Sequence, residues 1–256
     1  MLINSIILFL RDALPVFVLA SFLLAWSNHT KANHHWLGWG TVLGLSGALI
    51  LTALVNVISQ WQEGAGLELI LFCSQSLAYL FLILIVVDFC RAQHSHPAFA
   101  LAAFAITVML NGANLLVYLW GYWAFEETPL ALILGTVMGL ALCFSLAVLL
   151  YLAAYHLLLN GARRAFICLV LLYAAGQLTQ AFTLLSQVDL LPSFPSLWDS
   201  SAWISDESEV GHLLNSLMGY EEAPGPLQLL VYFLAVGLPL LGLGLSRQLK
   251  LGKGRN

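Results

Sequence analysis

Seven long apolar runs dominate this sequence, and they set the fold that it can adopt. Each run is about 20 residues or longer, the length of helix that crosses the hydrocarbon core of a bilayer. With 61% hydrophobic residues, 9% charged residues and a mean hydropathy of +0.90, the composition excludes an ordinary water-soluble core. We therefore predict an all-α polytopic membrane protein with seven transmembrane helices, at residues 4–26, 37–59, 67–89, 98–122, 130–158, 165–187 and 227–246.

Charged residues are sorted between the connections that join these runs. Alternate connections and the C-terminal tail hold Lys31, Arg91, Arg163, Arg164, Arg247, Lys250, Lys253 and Arg255. The charged residues of the intervening connections are all acidic, namely Glu63, Glu126, Glu127, Asp189, Asp199, Asp206, Glu207, Glu209, Glu221 and Glu222. Because basic residues favour cytoplasmic connections, we expect the N-terminus outside and the C-terminus in the cytoplasm, in the inner (plasma) membrane of the cell. No basic stripe with interleaved aromatic residues is present, so we expect no nucleic-acid partner beside the lipid bilayer.

A glycine motif occurs twice, as Gly40-Thr-Val-Leu-Gly44-Leu and as Gly135-Thr-Val-Met-Gly139-Leu. Such pairs let helix backbones approach closely, and simple packing glycines would explain them. The shared context favours duplication, which would make runs one to three an inverted repeat of runs four to six. The predicted single transmembrane domain, 1–256, then divides into 1–95, 96–187, an outer amphipathic loop at 188–226, the seventh helix at 227–246 and a basic tail at 247–256.

Polar residues inside the apolar runs are candidates for a transport path. Arg11 and Asp12 lie in the first run, where each charge costs roughly 2.5–3.5 kcal/mol at a helix centre. Pro15 follows and leaves the carbonyl of Arg11 without its helical partner, which predicts a kink beside a carboxylate. The fourth run holds Asn111 and Asn114 on one helix face, and the sixth holds Gln177 and Gln180. An Arg–Asp pair reaching the outer surface and hydrogen bonds between helices are the structural alternatives.

The outer loop contains a short pattern typical of an amphipathic helix. Asp206-x-x-Glu209 resembles a capping box, apolar residues follow at helical spacing, and Gly219 is placed to end the helix. We expect this helix to lie on the outer membrane surface or to cap the bundle.

The outer loop and last run also carry a family resemblance. The segments Leu197-Trp-Asp-Ser-Ser-Ala-Trp, Leu213-Leu-Asn-Ser-Leu-Met-Gly-Tyr220, Pro224 and Leu227-Gln-Leu-Leu-Val-Tyr232 are similar to those of the high-affinity iron permeases of the oxidase-dependent iron transporter family, which includes fungal and EfeU-type bacterial proteins. The family's Arg-Glu-Gly-Leu-Glu motifs correspond here to Arg11-Asp-Ala-Leu-Pro15 and Leu110-Asn-Gly-Ala-Asn114. Four motif carboxylates are thereby reduced to one, Asp12.

This resemblance implies a transporter that imports iron, or a related cation, between helices one and four. Asp12 is then the candidate metal ligand, with Glu63 and Glu68 as further acids near the outer face. It also implies an iron-oxidising or cupredoxin-type periplasmic partner, no covalently bound cofactor and no enzymatic activity. A non-transporting accessory subunit of an iron-uptake system is the alternative. A remote third is an intramembrane serine protease using Ser46 and His156.

Overall fold

The chain folds into a bundle of long helices. A computed structural model describes residues 2–91, 96–123, 129–192 and 194–253, and these ranges contain no strand. Seven of their helices are long and apolar enough to cross a membrane, which confirms the predicted all-α, multi-pass membrane protein. The helices are α1 (Leu2–Thr30), α2 (His35–Ile58), α3 (Gly66–Arg91), α4 (Pro97–Trp123), α5 (Pro129–Leu159), α6 (Arg163–Gln187), α7 (Glu209–Met218) and α8 (Pro226–Lys253).

Local sequence signals explain several helix ends. Pro97, Pro129 and Pro226 stand at the first positions of α4, α5 and α8, where the fixed φ of proline favours the helix and its missing N–H has no helical partner to lose. Gly161 has a φ of 74°, a left-handed conformation that glycine adopts without strain, and it turns the chain from α5 into α6. Helix α8 continues through Lys253, into the predicted basic tail. The predicted connection residues Glu126, Glu127 and Arg255 lie outside the described residues.

The helices pack in an exchanged pattern. Helix α1 packs most extensively on α5, and α2 packs most extensively on α4. The third helix of each set of three, α3 and α6, pack on each other, and α1 also contacts α4. The first helix of each set therefore packs on the second helix of the other set.

The repeated glycines form these two exchanged interfaces. A Cβ atom at Gly44 of α2 would lie 2.5 Å from the Cβ of Val108 and 2.8 Å from the carbonyl oxygen of Ala105, both in α4. A Cβ atom at Gly139 of α5 would lie 2.6 Å from the Cβ of Phe9 and 3.5 Å from the carbonyl oxygen of Ile6, both in α1. Both glycines are needed for the helices to meet. Each meets a side chain and, three residues before it, a carbonyl oxygen.

Helices α1 and α6 form the centre of the bundle. About 72% of the spanning part of α1 and 61% of that of α6 are buried, against 17% for α5 and 6% for α8. The outer helices present large apolar side chains on their exposed faces, as expected for surfaces that meet lipid.

Helix α7 forms where predicted, with a different beginning. Its N-cap is Ser208, whose hydroxyl accepts a hydrogen bond from the backbone N–H of Gly211 at 3.0 Å. The predicted capping box at Asp206 is therefore wrong, because Asp206 pairs instead with Glu222, accepting from its backbone N–H at 3.1 Å. The predicted end is confirmed: Gly219 has a φ of 70° and caps the helix.

Helix α7 packs against the end of the bundle and reaches into it. It packs on α6 and α1, and its C-cap Gly219 meets Gly176 of α6 so closely that a Cβ atom at Gly176 would lie 2.5 Å from the Gly219 nitrogen. Gly176 lies about 16 Å along α6 from the end of that helix at Gln187, at a rise of about 1.5 Å per residue. The chain therefore enters the bundle to roughly half the length of α6 and returns to begin α8. We call this end of the bundle the α7 end.

Candidate functional site

The charged pair of α1 is held next to the bundle interior. The Asp12 side chain is buried, with the residue only 4% exposed, and it accepts hydrogen bonds from Nε of Arg11 at 2.9 Å and from its Nη2 at 3.3 Å. The Arg11 side chain is 56% exposed. The single motif carboxylate is thus buried with its charge compensated by the neighbouring guanidinium.

Tyr173 of α6 joins α1 to α4 at the middle of the bundle. Its hydroxyl donates to the carbonyl oxygen of Pro15 at 3.1 Å, and the side chain of Thr107 in α4 is a second polar neighbour. Helix α1 continues without a break across Pro15, so the proline is accommodated inside one helix. The carbonyl that accepts this hydrogen bond is that of Pro15, four residues after the Arg11 carbonyl that the sequence predicts to be free. This contact fixes the relative depth of α1, α4 and α6.

Counting from Tyr173 places four polar side chains at one depth. Asp12 lies about 4.5 Å from Pro15 toward the α7 end, and Asn111 and Gln177 lie about 6 Å in the same direction from Thr107 and Tyr173. Gln75 of α3 joins this set because its Nε2 donates to Oε1 of Gln177 at 3.0 Å. We call Asp12, Gln75, Asn111 and Gln177 the polar layer.

The members of the polar layer differ in how well they are satisfied. Gln177 is 8% exposed, and its Nε2 atom is buried without a hydrogen-bond partner. The Asn111 amide donates to the carbonyl oxygen of Thr107 at 2.9 Å within its own helix. A buried amide donor without a partner is costly in a protein interior, so Gln177 is suited to bind an acceptor atom that enters the layer.

Asn114 and Gln180 occupy different surroundings from the polar layer. Asn114 lies on an exposed part of α4. Gln180 contacts α7, because its Nε2 donates to Oδ1 of Asn215 at 2.6 Å, and Asn215 donates in turn to the carbonyl oxygen of Tyr220 at 2.8 Å. Gln180 therefore holds the inserted helix beside the layer.

Aromatic side chains close the bundle on the other side of the polar layer. Phe22 of α1 packs edge-on against Tyr173 and Phe166 of α6, with ring centroids 6.2 Å and 6.4 Å apart. Phe89 of α3 packs against Phe166 at 5.9 Å. The polar layer thus lies between α7 at one end and this aromatic stack at the other.

Titratable groups around α7 are shifted by burial and by their neighbours. Burial raises the pKa of Asp206, and the nearby Glu222 carboxylate adds to that rise, while the hydrogen bond from the Glu222 backbone opposes it. Burial also raises the pKa of Glu221. Burial and the Arg11 guanidinium lower the pKa of His212, whose Nε2 atom is buried without a hydrogen-bond partner. His212 therefore favours its neutral form beside the charged pair.

The further acids predicted as metal ligands lie apart from any cluster. Glu63 is exposed in the short 3-10 turn Trp61–Gly64, and Glu68 begins α3 with its Oε2 atom buried and without a hydrogen-bond partner. In the described ranges, no three His, Cys, Asp or Glu side chains come together in a way that could hold a metal ion.

Ser46 bonds within its own helix, and His156 bonds to Asn160 just beyond the end of α5. The Ser46 hydroxyl donates to the carbonyl oxygen of Leu43 at 2.9 Å, and Nε2 of His156 pairs with the Asn160 amide at 2.8 Å. The hydrogen bond between serine and histidine that a protease would require is not formed.

Sequence reasoning missed three residues of interest. Tyr173 reads as an ordinary aromatic residue in an apolar run, and His212 reads as a loop histidine. Asp88 stands near the end of the third run, and its Oδ2 atom is buried without a hydrogen-bond partner. A count of acids inside the runs was the available signal for Asp88, since few charges are retained there without a reason.

A comparison of the chain with protein-family models, curated proteins and solved structures finds no match. What the chain does must therefore be argued from the arrangement of its own residues.

Proposed function

We propose that this chain is a membrane transporter built from two inverted three-helix repeats, which carries a cation through the polar layer between α1 and α4. The glycine contacts carry the proposal. They make Phe9 equivalent to Val108, and three residues further along each helix they make Asp12 equivalent to Asn111. These are two of the four positions that the iron-permease resemblance identifies as motif acids, the others being Pro15 and Asn114.

The packing pattern supports the inverted repeat. Exchanging α1–α3 with α4–α6 converts the α1–α5 interface into the α4–α2 interface and leaves the α3–α6 and α1–α4 interfaces in place, whereas among the described residues the α3–α4 interface has no α6–α1 counterpart of similar extent. A twofold axis in the membrane plane relates repeats of this kind, and their substrate sites lie near the bilayer midplane. Asp12, Asn111, Gln75 and Gln177 are at the depth where such an axis would pass.

Charge distribution supports an orientation with the α7 end outside the cell. The connections at the α7 end carry the acids Asp199, Asp206, Glu207, Glu221 and Glu222, while Lys31, Arg91, Arg163 and Arg164 lie at the opposite end. By the positive-inside rule the α7 end faces outward in the inner membrane. An iron-oxidising or cupredoxin-type partner would meet the protein at this end.

The proposed cargo is iron or a related cation of low charge. Ferric iron favours several anionic oxygens, and the layer offers one carboxylate that Arg11 already compensates. The free atom of Gln177 is an N–H donor, so it can contact a water oxygen of a hydrated cation but not a bare ion.

A non-transporting accessory subunit is the second candidate, and the same ion pair favours it. The Arg11–Asp12 pair satisfies its own charges, as a purely structural pair would. In that case the outer segment around α7 would serve an iron-uptake partner while nothing passes through the layer.

Uptake of radiolabelled iron separates the two candidates. Cells that express this chain as their sole candidate permease are compared with cells that express Asp12→Asn, and Glu63→Gln is the matched control for removing an exposed acid. The transporter proposal expects uptake by the native chain and the control and background levels for Asp12→Asn. Absence of uptake by well-expressed native protein, with ferrous and with ferric iron, would leave the accessory role.

A further inference from the structure

Residues 197–224, which we call the lid, form a self-contained unit. The backbone N–H of Leu197 donates to the carbonyl oxygen of Pro224 at 3.0 Å, and that of Ser200 donates to Glu222 at 2.9 Å. Asp206 and Glu222 each accept a hydrogen bond from the other's backbone N–H, at 3.1 Å and 2.9 Å. Because the two arms on either side of α7 are tied together, the lid is built to move as one body.

The lid is inserted into the bundle through small and apolar residues. Ser216 is only 2% exposed, and Leu213 and Leu217 pack against the largest buried cluster of the protein. The Gly176–Gly219 contact brings the lid backbone against α6 at the depth of Gln177. The lid therefore covers the polar layer from the α7 end.

Two polar lid side chains lie where the lid meets the bundle. Asn215 accepts a hydrogen bond from Gln180. His212 lies near enough to Arg11 for the two charges to interact, and its Nε2 atom is buried and without a partner. An imidazole nitrogen left unsatisfied beside the charged pair is available to a ligand.

We propose that the lid is the outer wall of the transport site and that His212 and Asn215 belong to that site. The lid withdraws as one body to admit a cation and returns to enclose it. This inference rests on the proposed function for the role of the site, while insertion and withdrawal of the lid can be tested without transport.

The polar layer is closed by the lid on one side and by the aromatic stack on the other, and the difference between them explains why the lid is the part that opens. The aromatic stack is made by Phe22, Phe89 and Phe166, which come from three membrane-spanning helices. The lid crosses no membrane, and its polar links to spanning helices include the side-chain pairs Gln180–Asn215 and Glu221–Gln228. Withdrawing the lid exposes fewer buried apolar contacts than separating the spanning helices.

Thiol labelling in lipid nanodiscs tests the insertion, because both faces are accessible to reagent. Ser216→Cys should react at least about tenfold more slowly than Trp203→Cys, whose native residue is 90% exposed. Native protein supplies the background from Cys73, Cys90 and Cys168. Adding Gly176→Ala, which places a Cβ atom against Gly219, should speed labelling of position 216. Adding Gly139→Ala, an equally tight site in the α1–α5 interface, should leave it slow.

Rapid labelling of Ser216→Cys in otherwise native protein, or equal acceleration by the two alanine variants, would contradict the proposal that the lid is inserted.

Uptake of ferrous ions tests the lid side chain His212. His212→Gln should lower uptake about tenfold, as expected for loss of one site interaction, with position 216 still protected. His156→Gln is the matched control. Unchanged uptake in His212→Gln would remove His212 from the site, whereas absence of uptake by native protein would refute the proposed function and leave the labelling result to decide the lid.

Discussion

Helices α1 and α4 begin the two sets of three helices, and they share a packing scheme but not a chemical role. Each is approached by a glycine of the opposite second helix, Gly139 or Gly44, with matching contacts. Yet α1 is 72% buried over its span and holds an acid and a base, while α4 is 39% buried and has asparagine at the equivalent position. The two helices therefore share their glycine packing and differ in their polar chemistry.

The difference follows from what covers each helix. Helix α7 packs on α1 and α6, and it supplies His212 beside Arg11. Thus α1 carries the charged pair and contacts the lid, whereas α4 has the matching glycine contact without the charges. The lid itself packs on both sets of helices, through α1 and α6.

Exchanging the polar residues between the helices is the sharpest test of this contrast. Asp12→Asn should reduce uptake about a hundredfold, since the layer loses its only carboxylate. The double variant Asp12→Asn, Asn111→Asp should recover part of it, because the carboxylate returns at the equivalent position. Initial uptake rates, normalised to the amount of protein in the membrane, provide the measurement. The control is the double variant Asp12→Asn, Asn114→Asp. If it recovers as much uptake as the Asn111 double variant, Asn111 is not the position equivalent to Asp12.

Alanine at the paired glycines should show that the packing is shared. Gly44→Ala and Gly139→Ala should each destabilise the protein by about 1–3 kcal/mol, because each added methyl group meets a neighbouring helix. Gly38→Ala in α2, where a Cβ atom meets nothing within 4 Å, should instead stabilise the helix by up to about 1 kcal/mol. Unfolding in mild detergent measures all three. A large cost at only one of the paired positions would break the symmetry of the comparison.

Acidification should loosen the lid where α7 packs on α1. Burial and Arg11 lower the pKa of His212, while Asp206, Glu207 and Glu209 oppose that shift. Stability from neutral His212 is present above its ordinary pKa of about 6.5 and is lost as the pH falls through the lowered value. Asp206 and Glu221, with raised pKa values, act in the opposite sense at lower pH, since their contribution is lost as the pH rises through those values. The protection factors of amides 209–218, which correct exchange for its intrinsic pH dependence, should therefore fall between pH 7.5 and about 5.5 in the native chain and change much less in His212→Gln.

Removing the cap of α7 should give the smallest effect. Ser208→Ala removes the hydroxyl that accepts from Gly211 and should cost about 1 kcal/mol of local stability. Amide exchange should quicken within α7 while α4 exchanges as before. Asp206→Asn is the control, because it keeps the side chain's acceptor oxygen and leaves the Ser208 cap intact. Greater fraying from Asp206→Asn than from Ser208→Ala would contradict Ser208 as the cap.

Hydropathy alone was sufficient to predict the seven long helices, because crossing a bilayer demands both length and apolarity. Local rules were less reliable at α7: Asp206 and Ser208 are both good N-caps, and the pairing of Asp206 with Glu222 across the lid decides between them. No local rule places α7 at the depth of Gly176, since that depends on two glycines far apart in sequence.

The candidate site was predictable only in part. Arg11 and Asp12 stand out because charges in an apolar run are conspicuous. Tyr173 does not, because its hydroxyl acquires a role only when α1 and α4 meet around it. The relation of Gln75 to Gln177 likewise needs the α3–α6 contact.

The paired glycine contacts also bear on how the two halves should be aligned. Superimposing the two Gly-Thr-Val motifs without a gap matches Asp12 with Thr107, whereas helix packing matches it with Asn111. The mismatch is four residues, about one helical turn, and a change of that length returns side chains to nearly the same helix face. Under the proposed repeat, an alignment of the two halves at one fixed spacing would therefore pair Asp12 with Thr107 and miss Asn111.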